Sequence, residues 1–199
     1  MTEQLTDTAL ILIDVQNDFC PGGTLAVPDG DKVVWPLNHE VTSAKNRGWL
    51  LIAGRDWHPR KSVHFAEFGG IWPVHCVQGT FGAEFHKELD TKGATIISKG
   101  MDPADANSYS EFLGFTEDDK TLEQLLRESS IKRIVLGGLA TDYCVKGTAL
   151  DAISLGFETY LLRHASRAVN LKPEDEGLAI QKMYEAGVHG LFAGEVSQI

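Results

Sequence analysis

Three side chains that could act together on an amide or ester lie far apart in the chain. They are Asp14 in LIDVQNDF, Lys99 in ISKGMD and Cys144 in GGLATDYCVKGTALDA. A thiol at the start of a helix faces unpaired backbone N–H groups and the positive end of the helix dipole, which favours thiolate. With an acid to take the thiol proton and an amine nearby, the set suffices for covalent acyl chemistry, Asp14 as base and Cys144 as nucleophile. Each residue alone also has an ordinary explanation: a small buried hydrophobe, a turn cap and a solvated lysine.

A second group lies in RDWHPRKSVHF and WPVHC. Asp56 and His58 form D-x-H, and His75 follows after a long connection. One carboxylate and two imidazoles with open positions suit Zn²⁺ first, with Fe²⁺ or Mn²⁺ as alternatives. His64 and Glu67 are both available as a fourth ligand. Loop histidines also occur without any metal, and His39, His86, His164 and His189 are read as structural or surface residues. Phe19, Trp72 and Tyr109 lie close by in sequence, as aromatic walls of a small planar-ligand pocket or as ordinary packing. Cys20 and Cys76 are assigned to packing.

Something must bring these groups together. Continuous apolar runs recur at 9–13, 49–53, 94–97, 134–136 and 159–162, as expected of strands buried on both faces of a parallel sheet. Helical spacing predicts helices at about 33–46, 121–129, 143–155 and 173–186, three of them stopped by Gly48, Gly156 and Gly187. Alternating strands and helices imply a three-layer α/β/α fold with a mostly parallel, doubly wound sheet, in one domain spanning 1–199. The stretch 57–90 lacks this rhythm and reads as an elaborated, functional loop. Ligands of such sheets bind outside the carboxyl ends of the strands. Asp14, Asp56, Lys99 and the 137–144 turn follow strands one to four, so all four belong on one rim.

Bulk properties narrow the function classes. A content of 43% hydrophobic and 23% charged residues suits a soluble protein with a real core. A formal net charge of −10 argues against nucleic acid as a partner, because phosphate contacts need clustered Lys and Arg. No apolar run is long enough to cross a membrane. The start, MTEQLTDT, lacks the basic region of a secretory signal. Three cysteines are no disulfide framework and fit a reducing, cytoplasmic setting.

LIDVQNDFCPGGTLAV, RDWHP, WPVHCVQGTFGAEFH, SKGMDPADANSYSEFLG and VLGGLATDYCVKGTALDA, in this order across nearly the whole chain, resemble the nicotinamidases of the isochorismatase-like cysteine hydrolase superfamily. The resemblance implies hydrolysis of nicotinamide, and of pyrazinamide, to the acid and ammonia, with a role in NAD salvage. It implies a catalytic triad of Asp14, Lys99 and Cys144 and metal ligands Asp56, His58 and His75. It implies an oxyanion hole from the N–H groups of Ala140 and Cys144, beside a cis peptide between Leu139 and Ala140. Substrate would meet Phe19, Trp72, Tyr109 and Leu139. One departure concerns the metal: many relatives read D-W-H-P-x-x-H-x-S-F, whereas here Ser62 stands at the histidine and His64 at the serine, which leaves His64 and Glu67 open as fourth ligand. Rival readings are another amidase of the superfamily, acting on a ureido or carbamoyl substrate, a metal-dependent oxidoreductase, and a binding protein without activity. A monomer and a homo-oligomer are both compatible with the sequence.

Overall fold

The computed structural model describes residues 6–199, so the first five residues of the polar start lie outside the described residues. Six strands form one sheet: β1 (Thr8–Ile13), β2 (Leu50–Asp56), β3 (Thr95–Lys99), β4 (Arg133–Leu139), β5 (Glu158–Arg167) and β6 (His189–Leu191). Their order is β3-β2-β1-β4-β5-β6, and every pairing is parallel, where the sequence suggested only a mostly parallel sheet. All six residues of β1 are buried, which is why its apolar run is continuous rather than alternating.

Helix α1 (Val34–Asn46) covers one face, setting Val34, Leu37, Val41 and Ala44 into a core with Leu10, Leu12 and Val135. Helices α2 (Leu122–Glu128), α3 (Lys146–Ser154) and α4 (Asp175–Glu185) cover the other, where Leu126, Ala149 and Met183 meet Ala9, Ile11 and Ile13. The result is the expected three layers. Helix α2 starts where it does because Thr121 and Gln124 form a reciprocal capping box.

Two features escaped the apolar pattern. Strand β6 has three residues, too few to carry a period. Strand β5 runs on to Arg167 through a polar stretch, and its register against β4 shifts between Leu136 and Gly138. That irregularity sits at the carboxyl end of β4, where bulges commonly re-aim a chain beside a site.

The chain turns from β1 toward β2 and β3 on one side, then crosses to β4, β5 and β6 on the other. This makes the β1/β4 boundary the switch point of the sheet, with a crevice at its carboxyl end. The loop after β2 is ordered by two short 3-10 turns, Ala66–Phe68 and Phe81–Ala83. Single bridges pair His58 with Val77 and Phe65 with Trp72, and Phe65 is fully buried beneath the loop.

Candidate active site

Asp14 is the first residue beyond β1 and adopts the left-handed region at φ 50°, uncommon for a residue with a Cβ. Its N–H donates to the carbonyl of Gly54, and its Oδ2 accepts from Lys99 Nζ at 2.8 Å. Lys99 and Asp56 are the last residues of β3 and β2 and form a second, closer ion pair. Lys99 Nζ also lies 3.6 Å from Cys144 Sγ. Cys144 belongs to a π-helical turn, Thr141–Val145, that leads from β4 into α3, and such turns recur at functional sites. Thr148 Oγ1 donates to the Cys144 carbonyl and fixes the turn to the helix. The fold therefore joins Asp14, Lys99 and Cys144 at one point, and all three are buried.

Burial decides their chemistry. It pushes the Cys144 thiol well above its ordinary pKa, only partly opposed by Lys99. The thiolate expected from a helix N-terminus is therefore not the resting form: desolvation outweighs the dipole, and the thiol needs a base. Burial likewise raises Asp14, against the pull of Lys99, which suits a carboxylate that must accept a proton. Burial alone would lower Lys99, but Asp14 and Asp56 carry it well above the usual lysine value, so it is a fixed cation. Asp56, despite its burial, is held well below the carboxylate range by Lys99 and the neighbouring imidazoles.

The imidazoles form the adjoining wall. His58, His64 and His75 are buried, and one ligand atom of each lies within 4.8 Å of the others. Each Nδ1 is within hydrogen-bond distance of a backbone carbonyl: Gly100 at 3.0 Å, Ala106 at 3.1 Å and Pro73 at 2.7 Å. That fixes the tautomer and leaves Nε2 as the free acceptor, the arrangement of metal-bound histidines. His58 Nε2 is buried without a partner, and Asp56 Oδ2 lies 3.5 Å from it and 3.7 Å from His75 Nε2. Burial lowers the His64 pKa to about 4, so that ring is neutral and able to ligate. This donor set fits a divalent metal. Ser62, the residue exchanged with His64 in the motif, is buried and accepts the His64 N–H on its hydroxyl, which shapes the turn that delivers the imidazole. Glu67 is exposed in the next turn and is not part of the group.

A narrow pocket connects the two groups. Cys144, Ala140, Asp56, His64 and His75 line its polar side, and Phe19, Trp72, Tyr109 and Tyr143 its aromatic side. Trp72 Nε1 donates to the Tyr109 hydroxyl, and Tyr143 packs edge-on against Trp72. Phe19 tilts over His75 with centroids 5.4 Å apart. The Leu139–Ala140 peptide is cis. Leu139 itself is fully buried in the core on the α1 face and does not line the pocket. A wider cavity, about 670 Å³, opens at the amino ends of the strands among Arg47, Ser130 and Arg133. It contains neither a thiol nor an imidazole, and the carboxyl end is where ligands of such sheets bind.

Several supporting residues were not singled out from the sequence. Gln16 donates to the carbonyls of Asp56 and Ala83 and accepts the Asp56 N–H, joining β1, β2 and the loop. Asp18 accepts the Cys76 N–H at 2.8 Å and so seats His75. Asp142 accepts the N–H groups of Val169 and Asn170 and braces the turn of Cys144. Tyr143 completes the aromatic wall. Gln16 and Asp18 belong to the DVQNDF motif and Asp142 and Tyr143 to ATDYC, so each motif carries supporting residues beside its reactive one.

Comparison with known proteins agrees with this geometry. The isochorismatase domain matches residues 8–190. A nicotinamidase of Escherichia coli (strain K12) is 40% identical over 196 residues, covering 90% of this chain and 92% of its own. A pyrazinamidase of Pyrococcus horikoshii, solved in complex with zinc, superposes with a TM-score of 0.86 at 45% identity, over 94% of this chain and 99% of that one. An L. infantum protein in complex with nicotinate reaches a TM-score of 0.83 at 33% identity, over 97% and 96%. A match of this extent makes the chain a member of the isochorismatase family.

Proposed function

We propose that this protein is an amidohydrolase that converts nicotinamide to nicotinate and ammonia, and accepts pyrazinamide, through a thioester on Cys144. The observation that carries the proposal is the junction of a buried thiol, acid and amine beneath an aromatic pocket whose far wall is a histidine cluster. The similarity to the E. coli nicotinamidase and to the nicotinate-bound structure supports the substrate.

The pyridine ring enters between Phe19 and Trp72, with its carboxamide over Cys144. Asp14 takes the thiol proton, and the sulfur attacks the carbonyl carbon. The oxyanion faces the N–H groups of Ala140 and Cys144, donors of a kind worth about 2.7–4 kcal/mol each. Asp14 returns the proton to the amide nitrogen, the C–N bond breaks and ammonia leaves. Water, deprotonated by Asp14, attacks the thioester; nicotinate departs, and the sulfur regains its proton. Lys99 keeps Asp14 ionised at rest and balances the thiolate as it forms. Asp56, His58 and His75, with His64 as fourth donor, would hold a divalent cation, Zn²⁺ by preference, that supplies a Lewis acid for orienting the ring nitrogen. Such a product serves NAD salvage.

The test is conversion of nicotinamide, pyrazinamide and benzamide by metal-loaded protein, followed by chromatography. We expect turnover of the first two and a rate for benzamide, which lacks the ring nitrogen, lower by more than about tenfold. Equal rates on all three would overturn the orienting role. No turnover of any would redirect the search to ureido or carbamoyl substrates.

A further inference from the structure

Glu111 has no part in the scheme above, yet its carboxyl lies beneath the reacting groups. It opens a short 3-10 turn, Glu111–Leu113. Its N–H donates to Thr148 Oγ1 of α3 at 3.0 Å, the same hydroxyl that binds the Cys144 carbonyl. The side chain is fully buried. Space for it exists because β2 carries a glycine there: a Cβ on Gly54 would come within 2.2 Å of the Glu111 carboxyl. The carboxyl reaches to 3.9 Å from Lys99 Nζ and faces that of Asp14.

Three buried carboxyls, Asp14, Asp56 and Glu111, thus surround one ammonium, that of Lys99. Both oxygens of Glu111 lack a partner, and so does Oδ1 of Asp14. Two facing carboxylates with orphaned oxygens would repel each other in a dry site, whereas one shared proton supplies the missing hydrogen bond. Burial and the charge of Asp14 also press the Glu111 pKa well above the carboxyl range. The charged groups facing it are Asp14 from the end of β1, Asp56 from β2 and Lys99 from β3. From α3 comes the Thr148 hydroxyl, while Glu123 and Arg127 of α2 pair with each other at the solvent side.

We infer that Glu111 is a positioning residue: a neutral carboxylic acid whose O–H donates to Asp14 and holds that carboxylate ionised and turned toward Cys144. The kinetic consequence rests on the hydrolase reading; the location of the proton does not.

Two substitutions separate a neutral donor from a charge. With the donor lost in Glu111→Ala, Asp14 is less stabilised as an anion. The acidic limb of kcat then moves to higher pH, and kcat falls by about tenfold or more, the weight of one charge-assisted hydrogen bond. Glu111→Gln supplies a neutral amide donor and rescues both. An ionised Glu111 would instead move the limb to lower pH in both variants, and that result overturns the inference. The pH dependence of Cys144 alkylation by iodoacetamide, read by peptide mass spectrometry, gives the same comparison without any substrate. Infrared difference spectra at neutral pH of metal-loaded wild type against Glu111→Gln test the proton itself. The carbonyl band of a protonated carboxyl should be lost in the variant; its absence from the wild type overturns the assignment. A wild type that shows the band and the alkylation pattern but leaves nicotinamide intact supports Glu111 and overturns only the substrate.

Discussion

A thiol buried with a carboxyl and an ammonium behaves differently from the helix-end thiolate that residue types and spacing suggested. Desolvation raises Cys144 and Asp14 together, so in the proposed scheme the proton rests on sulfur and Asp14 serves as the base. The pH profile follows. In that scheme Asp14 works ionised, burial raises its pKa above the ordinary aspartate value of 3.8, and activity should be lost as pH falls through that raised value. The acidic limb of kcat in a buffer series should therefore sit above the range of a solvated aspartate; a limb at or below it would contradict the burial argument. Lys99→Met removes an ammonium that faces three carboxyls, and breaking such buried pairs typically costs about 3–5 kcal/mol. Denaturant unfolding should register that loss along with abolished turnover. At this scale the side chains that the fold brings together were legible from their motifs, because few residue types can serve as nucleophile, base or ligand. Glu111 and Gln16 were not legible, because a carboxyl or amide in a loop gives no sign of its burial until the fold closes over it.

Short connecting elements supply the precision. Gly100, directly after β3, has φ 69° and presents its carbonyl to His58 Nδ1, and a Cβ there would approach the His58 ring to 2.4 Å. Gly100→Ala should displace that imidazole and weaken metal affinity by about 10–100-fold, the usual effect of losing an outer-shell partner; a chelator competition assay measures it. His64→Ala should lower metal retention in the same assay, whereas Glu67→Ala, at an exposed position, should leave it unchanged. The pocket is narrow, lined on one side by Phe19, Trp72, Tyr109 and Tyr143. The sequence marked 57–90 as functional because it broke the strand–helix rhythm. The π-helical turn of Cys144 and the β4–β5 shift had no such marker: both are single-residue departures from regular hydrogen bonding, and tertiary packing sets them.

Over the whole molecule, a rigid sheet sets the carboxyl ends of β1, β2, β3 and β4 side by side, which is why residues so far apart in the chain share one site. The architecture was legible because strands buried on both faces must be apolar throughout and the covering helices amphipathic. Ile11, at the centre of β1 and fully buried, carries part of this frame. Ile11→Ala should cost about 2–5 kcal/mol of stability, read by denaturant unfolding, while leaving kcat at low temperature near wild type, since no reacting group moves. Among the described residues no helix is long and apolar enough to cross a membrane. Cys20, Cys76 and Cys144 are all free and buried, the first two within the α1-side core, where the sequence had assigned them to packing.

If Cys144 forms the bond to the substrate, ammonia release from nicotinamide must depend on it, and wild type and Cys144→Ala are to be compared at matched metal content. The wild type should release ammonia steadily and the variant should lose more than about 10⁴-fold of that rate, as expected when a covalent nucleophile is removed. Release by Cys144→Ala within tenfold of wild type would contradict it.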